Sequence, residues 1–469
     1  MEAGPLSPAF RSLTIGIIAL VSCVAFEAMA VTTAMPLVAR DLGGESAYGL
    51  AFSLFLTASL LATVAAGAWC DLKGPRAALL AGLLLMGGGL AVSGTAFSFV
   101  TMVLGRAVSG LGGGFLIVAL YVIIGEAYPG AAQAVVFGWM SAAWVLPSLI
   151  GPLVSGYLAQ SVSWRWVFLG VIPIIAAALF LLWPRLRSLR PPAQPTMDAS
   201  FGRRRSVLGL ILALGVFAIQ WSFHAGGSGV PGWLAAAVGT AGAAAVVVGV
   251  PRLLPPGVFT IRQGLPSVMV TRAILALSFF GAEVFVPLML VTVHGLPAAL
   301  AGLALTGGAL GWSVGAFAQG KAKIERHWIL VASTLAAGLS LGSLALLTLP
   351  GVPLWLVMLD WSVAGLAMGA ALSTTSVLVL KLSSPSDRGR NSASLQLADQ
   401  LGSVAGTAGA GAVFAALHAP EHPEQIGVFV VIWVSLGAIA LLGIPAAARS
   451  RVAAGAPGQA IESKQVESA

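Results

Sequence analysis

The sequence predicts an all-α polytopic membrane protein with fourteen transmembrane helices, arranged as two six-helix bundles and a helix pair inserted between them. Three observations lead there. Of the 469 residues 58% are hydrophobic and only 9% charged, and the mean hydropathy is +0.96. A soluble domain carries about a quarter charged residues, so this chain cannot cover a water-facing surface, and lipid is its solvent. The apolar residues also fall in runs of about 20 or more, the length a helix needs to cross a bilayer. Finally, the basic residues gather between alternate runs, as they do on the cytoplasmic side of a membrane.

The first run, 12–38, reads as a retained helix. It is too long for the apolar core of a signal peptide and is interrupted by Glu27. Runs at 47–70 and 76–97 follow, divided by a polar turn, and then 99–126, 132–159 and 164–184. These six make an N-terminal half, 1–185. A Pro/Arg-rich stretch, 186–205, is a polar cytoplasmic linker. The two shortest runs, 206–223 and 231–250, form the inserted pair within 206–255. The C-terminal half, 256–449, holds runs at 267–293, 298–319, 328–349, 353–381, 391–417 and 426–448. A polar tail, 450–469, is expected to be disordered.

The charges fix an orientation. With both termini cytoplasmic, 21 of the 24 Lys and Arg residues lie at the termini or in inner segments, Arg272 being counted in the segment after the eighth run. Arg40 and Arg165 fall outside and Arg106 lies within a span. The formal charge of +8 thus expresses topology and attraction to an anionic leaflet, with no nucleic acid as partner. Cys23 and Cys70 are two lone thiols, too few for a disulfide framework or a metal site, and read as small apolar fillers. "HAPEH" (418–422) has the spacing of an inverted zinc-protease motif, but Pro420 breaks the helix that motif needs. No phosphate-binding Gly-rich loop is present, and no catalytic cluster, so neither ATP-driven pumping nor an enzyme is expected.

The two halves echo one another. "FEAMAVTTAMPL" in the first span pairs with "GAEVFVPLMLVT" in the ninth, and "LGRAVSGLGGG" in the fourth with "LDWSVAGLAMG" in the twelfth. Four stretches then carry a family resemblance. "GAWCDLKGPRAAL" (67–79) resembles the loop 2–3 signature of the major facilitator superfamily, with Gly67, Asp71, Gly74, Arg76 and Leu79 in place and Leu72 and Pro75 departing from it. "RAVSGLGGG" (106–114) resembles the span 4 signature, with Ser109 where Gln is common. "GWMSAAWVLPSLIGPLVSG" (138–156) is similar to the span 5 antiporter signature through Gly138, Gly151, Pro152 and Gly156, while Pro147 and Ser155 replace glycines. "FEAMAVTTAMP" resembles the span 1 signature of drug antiporters, with Glu27 where Asp is usual. The branch most resembled is that of the 14-span drug:proton antiporters.

The resemblance implies a major facilitator fold and a secondary transporter without a cofactor, driven by a proton gradient. It implies that spans 1, 4, 9 and 12 line the cavity, and these carry Glu27, Arg106, Glu283 and Asp360; Asp399 adds an acid in span 13. Charges inside a membrane are costly and mark function. A charge at mid-helix costs roughly 2.5–3.5 kcal/mol, and protonating an ordinary Glu at pH 7 about 3.7 kcal/mol. Neither state dominates, which suits a group that trades a proton for a substrate; which carboxylate does so stays open. Without Asp399 the set sums to −2, a sign that favours cationic or neutral amphipathic compounds, with Trp139, Trp144, Trp361, Met29 and Met35 available for apolar contact. Asp71, Arg76 and Glu126 form either a cytoplasmic latch, as the resemblance implies, or an ordinary basic loop with a helix cap. The glycines and prolines of span 5 allow a bend and close helix packing. The expected function is proton-coupled export of hydrophobic or cationic small molecules by a monomer. The expected location is a bacterial inner membrane, the bacterial source being suggested by an excess of Arg over Lys, 19 to 5. A lipid exporter or flippase of the same fold is the main alternative, and a nutrient importer a weaker one.

Overall fold

The computed structural model describes residues 5–8, 10–187, 199–225, 230–384, 387–418 and 425–451. The expected linker is thus largely, the tail almost wholly and the "HAPEH" stretch mostly outside the described residues. Two compact units are present: Met1–Val246 with Leu296–Leu303, and Val247–Gly295 with Ala304–Ala469.

In the first unit, α1 (Arg11–Asp41), α2 (Leu50–Lys73), α3 (Pro75–Gly94) and α4 (Phe99–Ala127) are long continuous helices. The fifth run, expected as one helix over 132–159, is two: α5 (Gly130–Ala142) and α6 (Val145–Leu158). Pro147 has no N–H to give to the carbonyl of Ala143, so the ladder fails there. That carbonyl instead accepts from Ser22 Oγ of α1 at 3.2 Å. The sixth run is likewise divided into α7 (Arg165–Leu169) and α8 (Val171–Leu186), two residues before Pro173. Then come α9 (Ala199–Ala225) and α10 (Gly232–Leu253). α9 packs on α2, where Gln220 Nε2 donates to Thr57 Oγ1 at 2.8 Å and Gly209 lies against Val64.

The second unit begins at the end of α10. Its ninth run divides into α11 (Leu265–Glu283) and α12 (Phe285–Thr292), again just before a proline, Pro287, whose missing N–H faces the carbonyl of Glu283. After it come α13 (Ala298–Lys321), α14 (Arg326–Leu347), α15 (Leu354–Leu382), α16 (Arg388–Leu417), α17 (Ile426–Leu442) and α18 (Ile444–Ala448). Among the described residues, twelve helices are long and apolar enough to cross a membrane. The expected fourteen are not reached by that measure, because α5 and α6 are each too short and the described apolar stretch of α9 runs over Val207–Ser222 alone.

Small residues set the packing. α4 presents Gly110 and Gly114 to the backbone of α2 at Phe55 and Ser59, and Gly105 and Gly112 to α3 at Ser93 and Met86. A methyl group at any of these would overlap main chain, so both neighbours approach α4 more closely than larger side chains permit. The second unit repeats the device. Gly311 and Gly315 of α13 meet the carbonyls of Ser362 and Leu366 on α15, and Gly365 and Gly369 of α15 meet those of Gly308 and Trp312 on α13. In both units the first long helix packs against the fifth run as well, α1 on α6 and α11 on α16.

Candidate functional site

The wedge of α4 between α2 and α3 carries Arg106 inward. Its side chain is 2% exposed and Glu27, on α1, 1%, so the pair is withdrawn from solvent on all sides. Arg106 Nη1 donates to Glu27 Oε1, and Arg106 Nε donates to the carbonyl of Ala51 on α2 at 3.2 Å. The guanidinium lies over the ring of Phe55, 4.2 Å from its centroid. Ser109, one turn along α4, donates to Glu27 Oε1 at 3.3 Å or to the carbonyl of Arg106 at 3.0 Å. Glu27 Oε2 is buried without a hydrogen-bond partner among the described residues. Three helices therefore close on one carboxylate that keeps one oxygen free.

The span 5 stretch holds α1 from the other side. Ser155, which stands where the signature has glycine, donates from Oγ to the carbonyl of Ala30 at 2.5 Å. Gly151 lies within ordinary contact of Phe26 and Met29, Gly156 against the backbone of Ala299, and Pro152 against Gly302. Pro147 supplies the break already described. The surroundings of Gly138 lie outside the described residues.

In the loop 2–3 stretch, Gly74 has φ +80° and ψ 161°, backbone that only glycine adopts without strain, and Pro75 opens α3 as its first residue. Arg76 lies over the ring of Trp183, 5.6 Å from its centroid. Glu126 is exposed, and no ion pair joins Arg76 to Glu126 among the described residues. The side chain of Asp71 is outside them. Gly67 has nothing within 4 Å of where a Cβ would stand.

Three of the predicted acids lie in the second unit, in three different settings. Asp399 on α16 accepts from Arg272 Nε at 2.5 Å. Arg272 is 6% exposed and also donates to Thr375 Oγ1 and the carbonyl of Leu372, both at 3.0 Å on α15. Counting Arg272 with the inner segment after the eighth run misplaces it: it sits two turns inside α11 and binds three helices together. The signal was available, since the ninth run already enclosed it and Asp399 lies a similar distance inside the thirteenth. Asp360 accepts from Ser343 Oγ at 2.7 Å and Ser340 Oγ at 3.2 Å, both on α14. Its neighbour Trp361 takes the face toward α11, stacked on Phe279 with ring centroids 4.9 Å apart. Glu283, the last residue of α11, is half-buried and has no hydrogen bond or ion pair among the described residues. Among the described residues no group of three or more His, Cys, Asp or Glu gathers as a metal site would need.

Comparison with known proteins bears on the family and the fold. The family model for the Major Facilitator Superfamily matches residues 17–197 and 268–466. A probable multidrug-efflux transporter of Mycobacterium tuberculosis is 27% identical over 393 residues, 80% of this chain and 81% of that protein. An MFS-type transporter of the acurin A biosynthesis cluster in Aspergillus aculeatus is 32% identical over 214 residues, 45% of this chain and only 38% of that relative's length. The crystal structure of a POT family transporter in complex with 5-aminolevulinic acid superposes with a TM-score of 0.68 at 14% identity, covering 92% of this chain and 94% of that one, which is a likeness of fold alone.

Proposed function

This chain belongs to the Major Facilitator Superfamily, and we propose that it exports hydrophobic or cationic small molecules in exchange for protons. The observation that carries the reading is the sealed Glu27–Arg106 pair with its free carboxylate oxygen. Ionised, Glu27 ties α1 to α4. A proton placed on Oε2 cancels the charge that holds Arg106 and leaves Oε1 as a neutral, weaker acceptor beside the Ala51 carbonyl and the Phe55 ring. Removing two charges from water is costly and their attraction offsets that cost only in good geometry, so binding of a proton or a substrate suffices to tip the balance. Export as the direction rests on the multidrug-efflux relative and on the span 5 stretch.

In this reading 1–185 and 256–449 are two halves that expose the Glu27 region to each side in turn. Residues 206–255 are an inserted pair, 186–205 a cytoplasmic linker and 450–469 a cytoplasmic tail. Gly67, Asp71, Gly74, Arg76 and Glu126 form the cytoplasmic latch. The protein works as a monomer in a bacterial inner membrane with both termini inside.

The test is flux in proteoliposomes under an imposed pH gradient, with Glu27→Gln and Glu283→Gln beside the wild type. Gradient-driven accumulation is expected for the wild type and none for Glu27→Gln. Uptake indifferent to the gradient removes the antiport claim. One observation favours a second reading, lipid export: a shallow apolar groove between α9 and α10, lined by Phe217, Ala218, Trp221 and Val238. Gradient-dependent movement of a labelled phospholipid between leaflets would support it.

A further inference from the structure

Among the described residues four arginines lie over tryptophan rings, and two of them share one ring. Arg76, in the first turn of α3, stands 5.6 Å from the ring centroid of Trp183, and Arg187, just past the end of α8, stands 5.0 Å from it. Trp183 belongs to the last turn of α8, and its carbonyl accepts from the backbone N–H of Arg187 at 3.2 Å. Two guanidiniums from two packed helices, α3 and α8, thus meet on one indole.

What the other two arginines have, this pair lacks. Arg165, over Trp164, has the carboxylate of Asp41 at 3.9 Å and donates to the carbonyl of Ala96 at 3.0 Å. Arg451, over Trp328, donates from Nε to His327 at 3.1 Å, and His327 in turn meets Glu325. Neither Arg76 nor Arg187 has an ion pair or a side-chain hydrogen bond among the described residues. A guanidinium keeps its charge at any physiological pH and its N–H donors call for oxygen acceptors. Two such charges brought to one ring also repel. An anion with several oxygens answers both demands, and phosphate is the anion whose geometry the guanidinium fork fits.

The surroundings indicate how that phosphate is carried. Arg76 and Arg187 stand at the ends of helices long enough to cross a membrane, where headgroups lie and tryptophan is enriched. One turn deeper along α8, Phe180 shares the Trp183 side of the helix and is 79% exposed. A free anion meets the arginines alone. A phospholipid meets them with its headgroup and Phe180 with an acyl chain. We propose that Arg76, Trp183 and Arg187 form a binding site for the phosphodiester of an anionic phospholipid, in the leaflet beside the α2–α3 turn, and that the bound headgroup clips α3 to α8. The preference for a net negative headgroup follows from the missing carboxylate: a zwitterionic lipid brings a cationic group that both arginines repel. The site does not depend on what the protein exports.

The test is native mass spectrometry of the purified full chain in detergent, titrated with dioleoylphosphatidylglycerol and, in parallel, with dioleoylphosphatidylcholine. The wild type is expected to retain phosphatidylglycerol in preference. Arg187→Gln is expected to weaken that retention about fivefold, and Arg76→Gln/Arg187→Gln to weaken it further, with phosphatidylcholine unaffected. Arg252→Gln removes an exposed charge at the end of α10 instead and is expected to change neither. Millimolar inorganic phosphate is expected to leave the lipid in place. A second measurement needs no variant: phenylglyoxal modification of Arg187 in the wild type, mapped by mass spectrometry, is expected to slow with phosphatidylglycerol and not with phosphatidylcholine. No preference in the wild type, equal retention in a folded Arg187→Gln, an equal loss in Arg252→Gln, or modification indifferent to the lipid would each overturn the proposal. Displacement by inorganic phosphate would make this a site for a free anion and remove the lipid.

Discussion

Arg272 and Asp399, 127 residues apart in sequence, meet at 2.5 Å inside the second unit. Arg272 is the only residue there that hydrogen-bonds α11 to both α15 and α16 among the described contacts. Removing one member of a buried pair strands the other charge, at a cost of about 3–5 kcal/mol. Asp399→Ala is therefore expected to destabilise the protein by about 3 kcal/mol, and the double variant Arg272→Met/Asp399→Leu to recover most of that loss. Thermal unfolding in detergent, followed by tryptophan fluorescence, measures both. Equal loss in the single and double variants would show that the pair is not what holds these helices.

The Glu27 site makes a different demand. Arg106→Ala leaves an ionised Glu27 buried with only Ser109 to meet it, so this variant is expected to fold only with Glu27 protonated, and its transport to lose its response to the pH gradient. Ser109→Ala removes one hydrogen bond, worth about 1 kcal/mol, and is expected to slow flux several-fold while keeping the coupling. Flux at a series of imposed gradients separates a lost response from a reduced rate.

Glycines that look alike in the sequence are expected to differ sharply. At Gly311 a methyl group would overlap the carbonyl of Ser362, whereas at Gly342 it would meet nothing within 4 Å. Gly311→Ala is expected to cost about 1–3 kcal/mol by overpacking, and Gly342→Ala to be neutral or to gain up to about 1 kcal/mol from helix propensity. Melting temperatures of the two purified variants decide it.

Backbone conformation makes a similar contrast at two turns. Gly43 has φ +63° with open space around it, and Gly74 has φ +80° with an extended ψ. Asparagine adopts the first and not the second. Gly43→Asn is expected to be close to neutral and Gly74→Asn to cost about 1–3 kcal/mol, read from the same melting experiment.

Hydropathy made most of the helices legible, because a lipid solvent leaves few alternatives to a long apolar run. The Glu27–Arg106 encounter was legible too, since an acid and a base inside two apolar helices have little choice but each other. Breaks inside runs were harder. The prolines at 147 and 287 were visible, but whether a proline bends a helix or divides it depends on what takes the freed carbonyl, as Ser22 does for Ala143. Arg272 was misjudged because an arginine near a helix end can reach headgroups as easily as a buried partner, and its partner is remote in sequence. Asp360 was expected at the cavity because it lies in the twelfth span, yet the echo sets Trp361, and not Asp360, opposite Arg106; one residue is about 100° of helix, so Trp361 faces α11 while Asp360 meets the serines of α14.

In the proposed exchange, α4 serves as a post and α1 as the arm that moves against it. The glycine contacts of α4 with α2 and α3 leave it no room to slide, whereas α1 is joined to its other neighbour by two serine-to-carbonyl bonds, from Ser22 and from Ser155. A proton reaching Glu27 would then be felt as slack on the post side and taken up on the serine side, so the seam between α1 and α6 is where a spin label or a crosslink should register the stroke.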